Sequence, residues 1–102
     1  MVNLTFLGIS DCYSLTNIDA IGNFTKLAHL SLSSTTKLSS IEPLKNLKNL
    51  EVLYLTNSAV KDLSPIKNLQ LLRALDISGT ELKSLNSLSG ANLNNLVVLN
   101  ID

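Results

Sequence analysis

The sequence predicts an α/β solenoid: stacked repeats with a parallel β-sheet along one face and 3₁₀ or short helical turns along the other. Three observations predict it. One unit recurs, with starts at Leu4, Leu27, Leu50, Leu72 and Leu96, spaced by 23, 23, 22 and 24 residues. Self-similarity at such a period marks a repeat architecture. Within a unit the hydrophobic period changes. From Leu50 to Leu69 apolar residues fall at offsets 0, 3, 5, 10, 13, 16 and 19. The early part alternates as a strand does, and the later part steps by threes as tight helical turns do. Finally, hydrophobic residues make up 45% of the chain but aromatic ones only 4%, which suits a core of stacked aliphatic side chains.

The strand cores are Leu7-Gly8-Ile9, Leu30-Ser31-Leu32, Leu53-Tyr54-Leu55, Leu75-Asp76-Ile77 and Leu99-Asn100-Ile101. After each strand, anchors return at threefold spacing. They are Leu15, Ile18, Ile21 and Phe24 in repeat 1, and Leu38, Ile41, Leu44 and Leu47 in repeat 2. Repeat 3 supplies Val60, Leu63, Ile66 and Leu69, and repeat 4 supplies Leu82, Leu85, Leu88 and Leu93. Each fully buried anchor stabilises by about 1.5–3 kcal/mol. One repeat cannot hide its own anchors, so stacking is obligatory and the strands pair in parallel about 4.8 Å apart. Ser64-Pro65 reads as a helix N-cap followed by proline at the first helical position, with Glu42-Pro43, Asp19-Ala20 and Asn86-Ser87 in the same column. Repeats 1 and 2 hold one more residue than repeat 3 between strand and next anchor, and Ser89-Gly90-Ala91-Asn92 lengthens repeat 4. Such insertions map to surface loops.

The pattern L-x-x-L-x-L, with Leu or Ile at every anchor of five copies, resembles the leucine-rich-repeat family over essentially all 102 residues. The 22-residue unit with Asp62-Leu-Ser-Pro-Ile66 is similar to bacterial internalins and to the leucine-rich regulatory subunit of protein phosphatase 1. The 23-residue units resemble leucine-rich proteins of trypanosomes. The resemblance implies a right-handed curved coil whose concave sheet face binds proteins or peptides. It also implies a buried ladder after each strand, usually Asn or Cys. Here that column is Cys12, Thr35, Ser58 and Thr80. Hydroxyls can replace the amide there, and Cys12 is expected to point inward as a small apolar group.

Eight basic and eight acidic residues cancel, leaving no electrostatic footprint for nucleic acid. No apolar run reaches the length of a membrane-spanning helix. The start, Met1 to Phe6, lacks a basic region and a continuous apolar stretch, so it reads as the first repeat rather than a signal peptide. A single cysteine excludes an internal disulfide. The sequons at Asn3 and Asn23 do not fix a compartment, and the location stays open.

Alternation places three columns on the outward sheet face: Phe6, His29, Val52, Ala74, Val98; then Gly8, Ser31, Tyr54, Asp76, Asn100; then Ser10, Ser33, Thr56, Ser78, Asp102. The candidate partner-binding patch is His29, Tyr54, Thr56, Arg73 and Asp76, with Tyr54 as a large group bearing a polar tip. The competing reading is that these are ordinary solvated strand positions. His29 is the only histidine and has no ligand set around it, so no metal site is expected. His29 and Asp76 stand two strands apart, about 10 Å, and no serine nucleophile is held against them. No catalytic residue and no cofactor is expected. The expected function is a protein-interaction scaffold; alternatives are a domain restraining an enzyme such as a phosphatase or cyclase, and an internalin-like surface adhesin. Neither end resembles a polar cap, so residues 1–102 are expected to be one array within a longer one, able to associate end to end.

Overall fold

The computed structural model describes residues 3–80, 82, 88, 90, 93, 95, 96 and 98–100, the last three through their backbone. Leu85, the cap expected at Asn86-Ser87, Ile101, Asp102, and the inserted Ser89, Ala91 and Asn92 lie outside the described residues. Five three-residue strands, β1 (Phe6–Gly8), β2 (His29–Ser31), β3 (Val52–Tyr54), β4 (Ala74–Asp76) and β5 (Val98–Asn100), form one parallel sheet in chain order. The register aligns Leu7, Leu30, Leu53, Leu75 and Leu99 across the sheet. Each repeat is therefore a crossover returning to the same sheet, and such crossovers are right-handed.

The return segments are three 3₁₀ helices, η1 (Asp19–Asn23), η2 (Glu42–Asn46) and η3 (Ser64–Ile66), with no α-helix among the described residues. The threefold spacing of anchors is the hydrogen-bond ladder itself. In repeat 2, Leu44 N–H donates to Ile41 O at 2.9 Å, Leu47 to Leu44 at 3.0 Å and Leu50 to Leu47 at 3.0 Å. The same chain runs Ile18, Ile21, Phe24, Leu27 and Leu63, Ile66, Leu69, Leu72. Bonding every third residue keeps these side chains eclipsed on one side, so one segment satisfies its backbone and buries its anchors together.

The seven anchors of repeat 2 and the seven of repeat 3 are at most 1% exposed. In repeat 1 Leu4, Leu7, Ile9, Leu15 and Phe24 are only partly buried against that core. Phe24 is the one aromatic residue packed there; Phe6, Tyr13 and Tyr54 are exposed. The extra residue of repeats 1 and 2 is absorbed by a tight turn, closed by Leu15 N–H to Cys12 O at 3.1 Å and Leu38 N–H to Thr35 O at 2.9 Å. Repeat 3 has no such turn; there Ala59 N–H crosses to Leu38 O at 3.0 Å.

Three sequence expectations are corrected. Cys12 is exposed rather than inward, because repeat 1 has no described repeat preceding it to cover its bend. The equivalent Thr35 is fully buried and Ser58 nearly so. The caps also differ. Ile18, Ile41 and Leu63 occupy the N-cap positions without side-chain bonds. The capping acceptors stand one residue earlier: Asn17 Oδ1 takes the Asp19 N–H at 2.7 Å, Ser40 Oγ that of Glu42 at 3.4 Å, and Asp62 Oδ1 that of Ser64 at 2.9 Å. An anchor must point inward at the helix entrance, so the short polar residue before it closes the turn. Pro43 and Pro65 are consequently second in their 3₁₀ helices, not first.

Each strand of β1–β4 leaves the sheet through one residue with positive φ: Asp11 (58°), Ser34 (59°), Asn57 (59°) and Gly79 (71°). The first three donate their N–H to the next repeat, to Ser33 O at 3.1 Å, Thr56 O at 2.8 Å and Ser78 O at 2.9 Å. This left-handed step turns the chain off the sheet while extending the inter-repeat ladder.

Candidate functional site

The outward face of the sheet is built from the side chains that alternate with the core leucines. Two rows cross it in register: Phe6, His29, Val52, Ala74 and, beside it, Gly8, Ser31, Tyr54, Asp76. Small residues in the second row leave space. The ring of Phe6 lies over Gly8, within 3.5 Å of where a Cβ would stand. It is 64% exposed and meets the His29 ring at 6.0 Å between centroids, tilted by 31°. Across Ser31 stands Tyr54, 43% exposed. Phe6, His29, Leu30, Ser31, Val52 and Tyr54 enclose an apolar recess of about 210 Å³.

Val52 and Ala74, read from sequence as outward, are outward but buried, and they lie outside the contiguous core. Val52 lines the recess.

The structure places the five sequence-derived candidates unequally. His29 is half-buried in the recess wall, and Tyr54 is the opposite wall. Asp76 is the register partner of Tyr54 on the adjacent strand. Its Oδ1 accepts from Ser78 N–H at 3.0 Å and from Ser78 Oγ at 2.6 Å, which fixes the carboxylate. Thr56 lies past the end of β3, half-buried, with its carbonyl taken by Ser34 N–H at 2.8 Å. Arg73 precedes β4 at the opposite rim, where its Nε approaches Glu51 Oε1 at 3.3 Å, both side chains about half exposed. His29, Tyr54 and Asp76 are thus brought together, while Thr56 and Arg73 mark the two ends of the strands.

Phe6 was placed in the right column by alternation but not in the patch, and it is the most exposed aromatic residue described. The signal that could have found it is its diagonal to Gly8 and Ser31, an aromatic ring beside two positions too small to cover it. Among the described residues no cluster of three or more His, Cys, Asp or Glu could hold a metal ion. No described helix is long and apolar enough to cross a membrane. The polar groups of the recess lining are the His29 imidazole, the Ser31 hydroxyl and the Tyr54 phenol.

An open parallel sheet, backed by aliphatic anchors and faced by a shallow recess, defines a repeat solenoid of the kind that binds through its surface. The chain belongs to the leucine-rich-repeat family: the family model described as Leucine Rich repeats (2 copies) matches residues 2–46 and 29–68. No curated protein matches it. Among solved structures it is similar to an internalin (InlF) of Listeria monocytogenes, at 27% identity and a TM-score of 0.82, over 96% of this chain and 28% of that one. It is also similar to internalin C2 of the same organism, at 28% identity and a TM-score of 0.77, over 85% of this chain and 37% of that one. The chain therefore spans well under half the length of either. In general terms this fold is a protein-interaction scaffold, and domains of its kind are typically non-enzymatic.

Proposed function

We propose that this chain binds a partner protein or an extended peptide on the concave sheet face and performs no chemistry of its own. The observation that carries the reading is the recess between Phe6, His29 and Tyr54. Most large apolar groups lie in the core; of the four that stand exposed, Tyr13 and Leu71 lie elsewhere, whereas Phe6 and Tyr54 flank one apolar recess. Rigid aromatic groups with large contact area are what interface anchors require. Asp76 and Thr56 supply polar contacts around them, and Arg73 extends the surface to the strand N-terminal rim.

The similarity to two Listeria internalins favours one second reading, in which the bound partner lies outside the cell and the chain is part of a surface adhesin. The short share of those chains that it spans also supports its working within a longer array.

The test is a photo-crosslinking amino acid placed at Tyr54 on the sheet face or at Asn46 on the 3₁₀ side, each variant first shown to be folded. The expected result is a discrete crosslinked partner from position 54 and none from position 46. The reverse pattern would move recognition to the opposite face and overturn the proposal.

A further inference from the structure

We infer that the recess is a pH-sensitive site with His29 as its switch: an apolar side chain of the partner is held there while the imidazole is neutral and released once it is protonated. This rests on the concave-face reading above and adds the regulation of that site.

Strand pairing places His29 for this role. It lies on β2 between Phe6 on β1 and Val52 on β3, so its half-buried ring forms one wall of the recess, with Tyr54 as the other. Phe6, Leu30 and Val52 give the lining its apolar part. An occupant that fills this space takes the place of water against the imidazole. Loss of water penalises the charged form of a group, which for histidine is the protonated one. The Phe6 ring, 6.0 Å away between centroids, stands at the outer limit at which an aromatic face attracts a cation. It is beside His29 before and after binding, so it does not reverse the sign.

The charged groups around His29 leave that penalty in place. β1 carries no titratable side chain, and β3 carries only the Tyr54 phenol, which stays neutral where an imidazole titrates. Glu51, just ahead of β3, is at the strand entrance, where Arg73 engages its carboxylate at 3.3 Å. Asp76 is on β4, beyond Tyr54, and accepts both Ser78 bonds. Lys26, ahead of β2, is exposed. No carboxylate belongs to the recess lining, so an imidazolium covered there has no counter-ion in it.

Linkage fixes the direction. The bound chain takes up fewer protons than the free one, so affinity is full above the imidazole range and falls as pH drops through it. A histidine ordinarily changes charge at about pH 6.5. If binding makes protonation ten-fold harder, affinity drops about five-fold between about pH 7.5 and about pH 5.5.

The probe is a set of peptides, acetylated and amidated at their ends, from a displayed library without Asp, Glu or His. The library is panned against the folded full chain at about pH 7.5, where an imidazole is mostly neutral, and peptides weakened by Tyr54→Ala are kept. Each is titrated against wild type and His29→Gln at both pH values, with folding confirmed by circular dichroism. Wild type should bind about five-fold more weakly at the lower pH, and His29→Gln should bind equally at both. His29 is the only histidine, so its ring protons follow protonation by NMR without any variant, and their midpoint should move to lower pH when peptide is added. Equal wild-type affinity at the two pH values, the same fall in His29→Gln, or a midpoint unmoved or raised by peptide overturns this inference, while the loss on Tyr54→Ala keeps the concave reading. If no recovered peptide is weakened by Tyr54→Ala, both are overturned.

Discussion

Replacing Gly79 by alanine isolates the step that turns each strand off the sheet. Gly79 holds φ at 71°, and the equivalent Asp11, Ser34 and Asn57 hold 58°, 59° and 59°. Three residues with side chains adopt this conformation, so the backbone alone does not demand glycine. The neighbour does: a Cβ on Gly79 would run into Oδ1 of Asn57, the same column one repeat back. The left-handed conformation costs an alanine about 1–2 kcal/mol. Moving the Asn57 side chain off a favoured rotamer adds about 0.5–1.5 kcal/mol. Restricting the unfolded chain returns about 0.4–1 kcal/mol. The net expectation is a loss of about 0.5–3 kcal/mol, read as a lower urea midpoint at unchanged slope. The double variant Gly79→Ala/Asn57→Gly removes the collision and should recover the rotamer share, leaving the conformational share. A Gly79→Ala variant as stable as wild type, or a double variant no better than the sum of the singles, would refute the reasoning.

The remaining predictions concern single side chains. Asn49 Nδ2 donates to Thr25 O at 3.0 Å and Asn95 Nδ2 to Gln70 O at 2.9 Å, each stapling a repeat to the one before. Leu71 stands in that column, exposed, and cannot donate, so Leu71→Asn should stabilise by about 0.5–1 kcal/mol in urea unfolding, and a loss would deny the staple. Thr35 Oγ1 donates to Leu32 O at 2.8 Å, whereas Ser58 Oγ, also buried, has no partner. Thr35→Val should therefore cost about 1 kcal/mol while Ser58→Ala is neutral or stabilising, and equal costs would show that the hydroxyl bond contributes nothing. The Asp62 carboxyl sits below its ordinary value of 3.8 because Ser64 donates to it through hydroxyl and backbone N–H, with Lys67 adding to the effect. A depressed carboxylate gives stability that is present above its unfolded value and lost as pH falls through the folded one. The stability difference between wild type and Asp62→Asn should thus hold at neutral pH and decline below about pH 4; a difference independent of pH would remove Asp62 from the acid limb.

The parts of this fold legible in sequence are those that repeat a residue type. Leucine at threefold spacing betrayed the return segments because each anchor carries both a core side chain and a rung of the 3₁₀ ladder, as Ile41, Leu44, Leu47 and Leu50 do. The period-2 columns were legible for the same reason. The left-handed bend was not, since Asp11, Ser34, Asn57 and Gly79 share a backbone conformation and no side chain. The capping side chains were misplaced by two residues because Asn17, Ser40 and Asp62 act through acceptor geometry, which three residue types supply equally. Cys12 was misread because its column is buried only where repeats flank it on both sides, a property of position in the stack rather than of residue.

The site divides along the same line. Which residues face outward follows from alternation, but the depth of the recess depends on contrasts between neighbouring columns: Gly8 and Ser31 leave room, Phe6 and Tyr54 stand over it, and Val52 is covered between them. No single column announces that. The division has a consequence for how this surface can change. Phe6, Tyr54 and Asp76 lie outside the core cluster that Leu7, Leu30, Leu53 and Leu75 join, so they are replaceable without cavity or strain in the stack. Phe6→Ala and Tyr54→Ala should each leave the urea midpoint nearly unmoved while a core change, Leu53→Ala, costs about 2–5 kcal/mol. If the face substitutions destabilised as Leu53→Ala does, the rings would be structural, and recognition would have to be sought elsewhere on the coil.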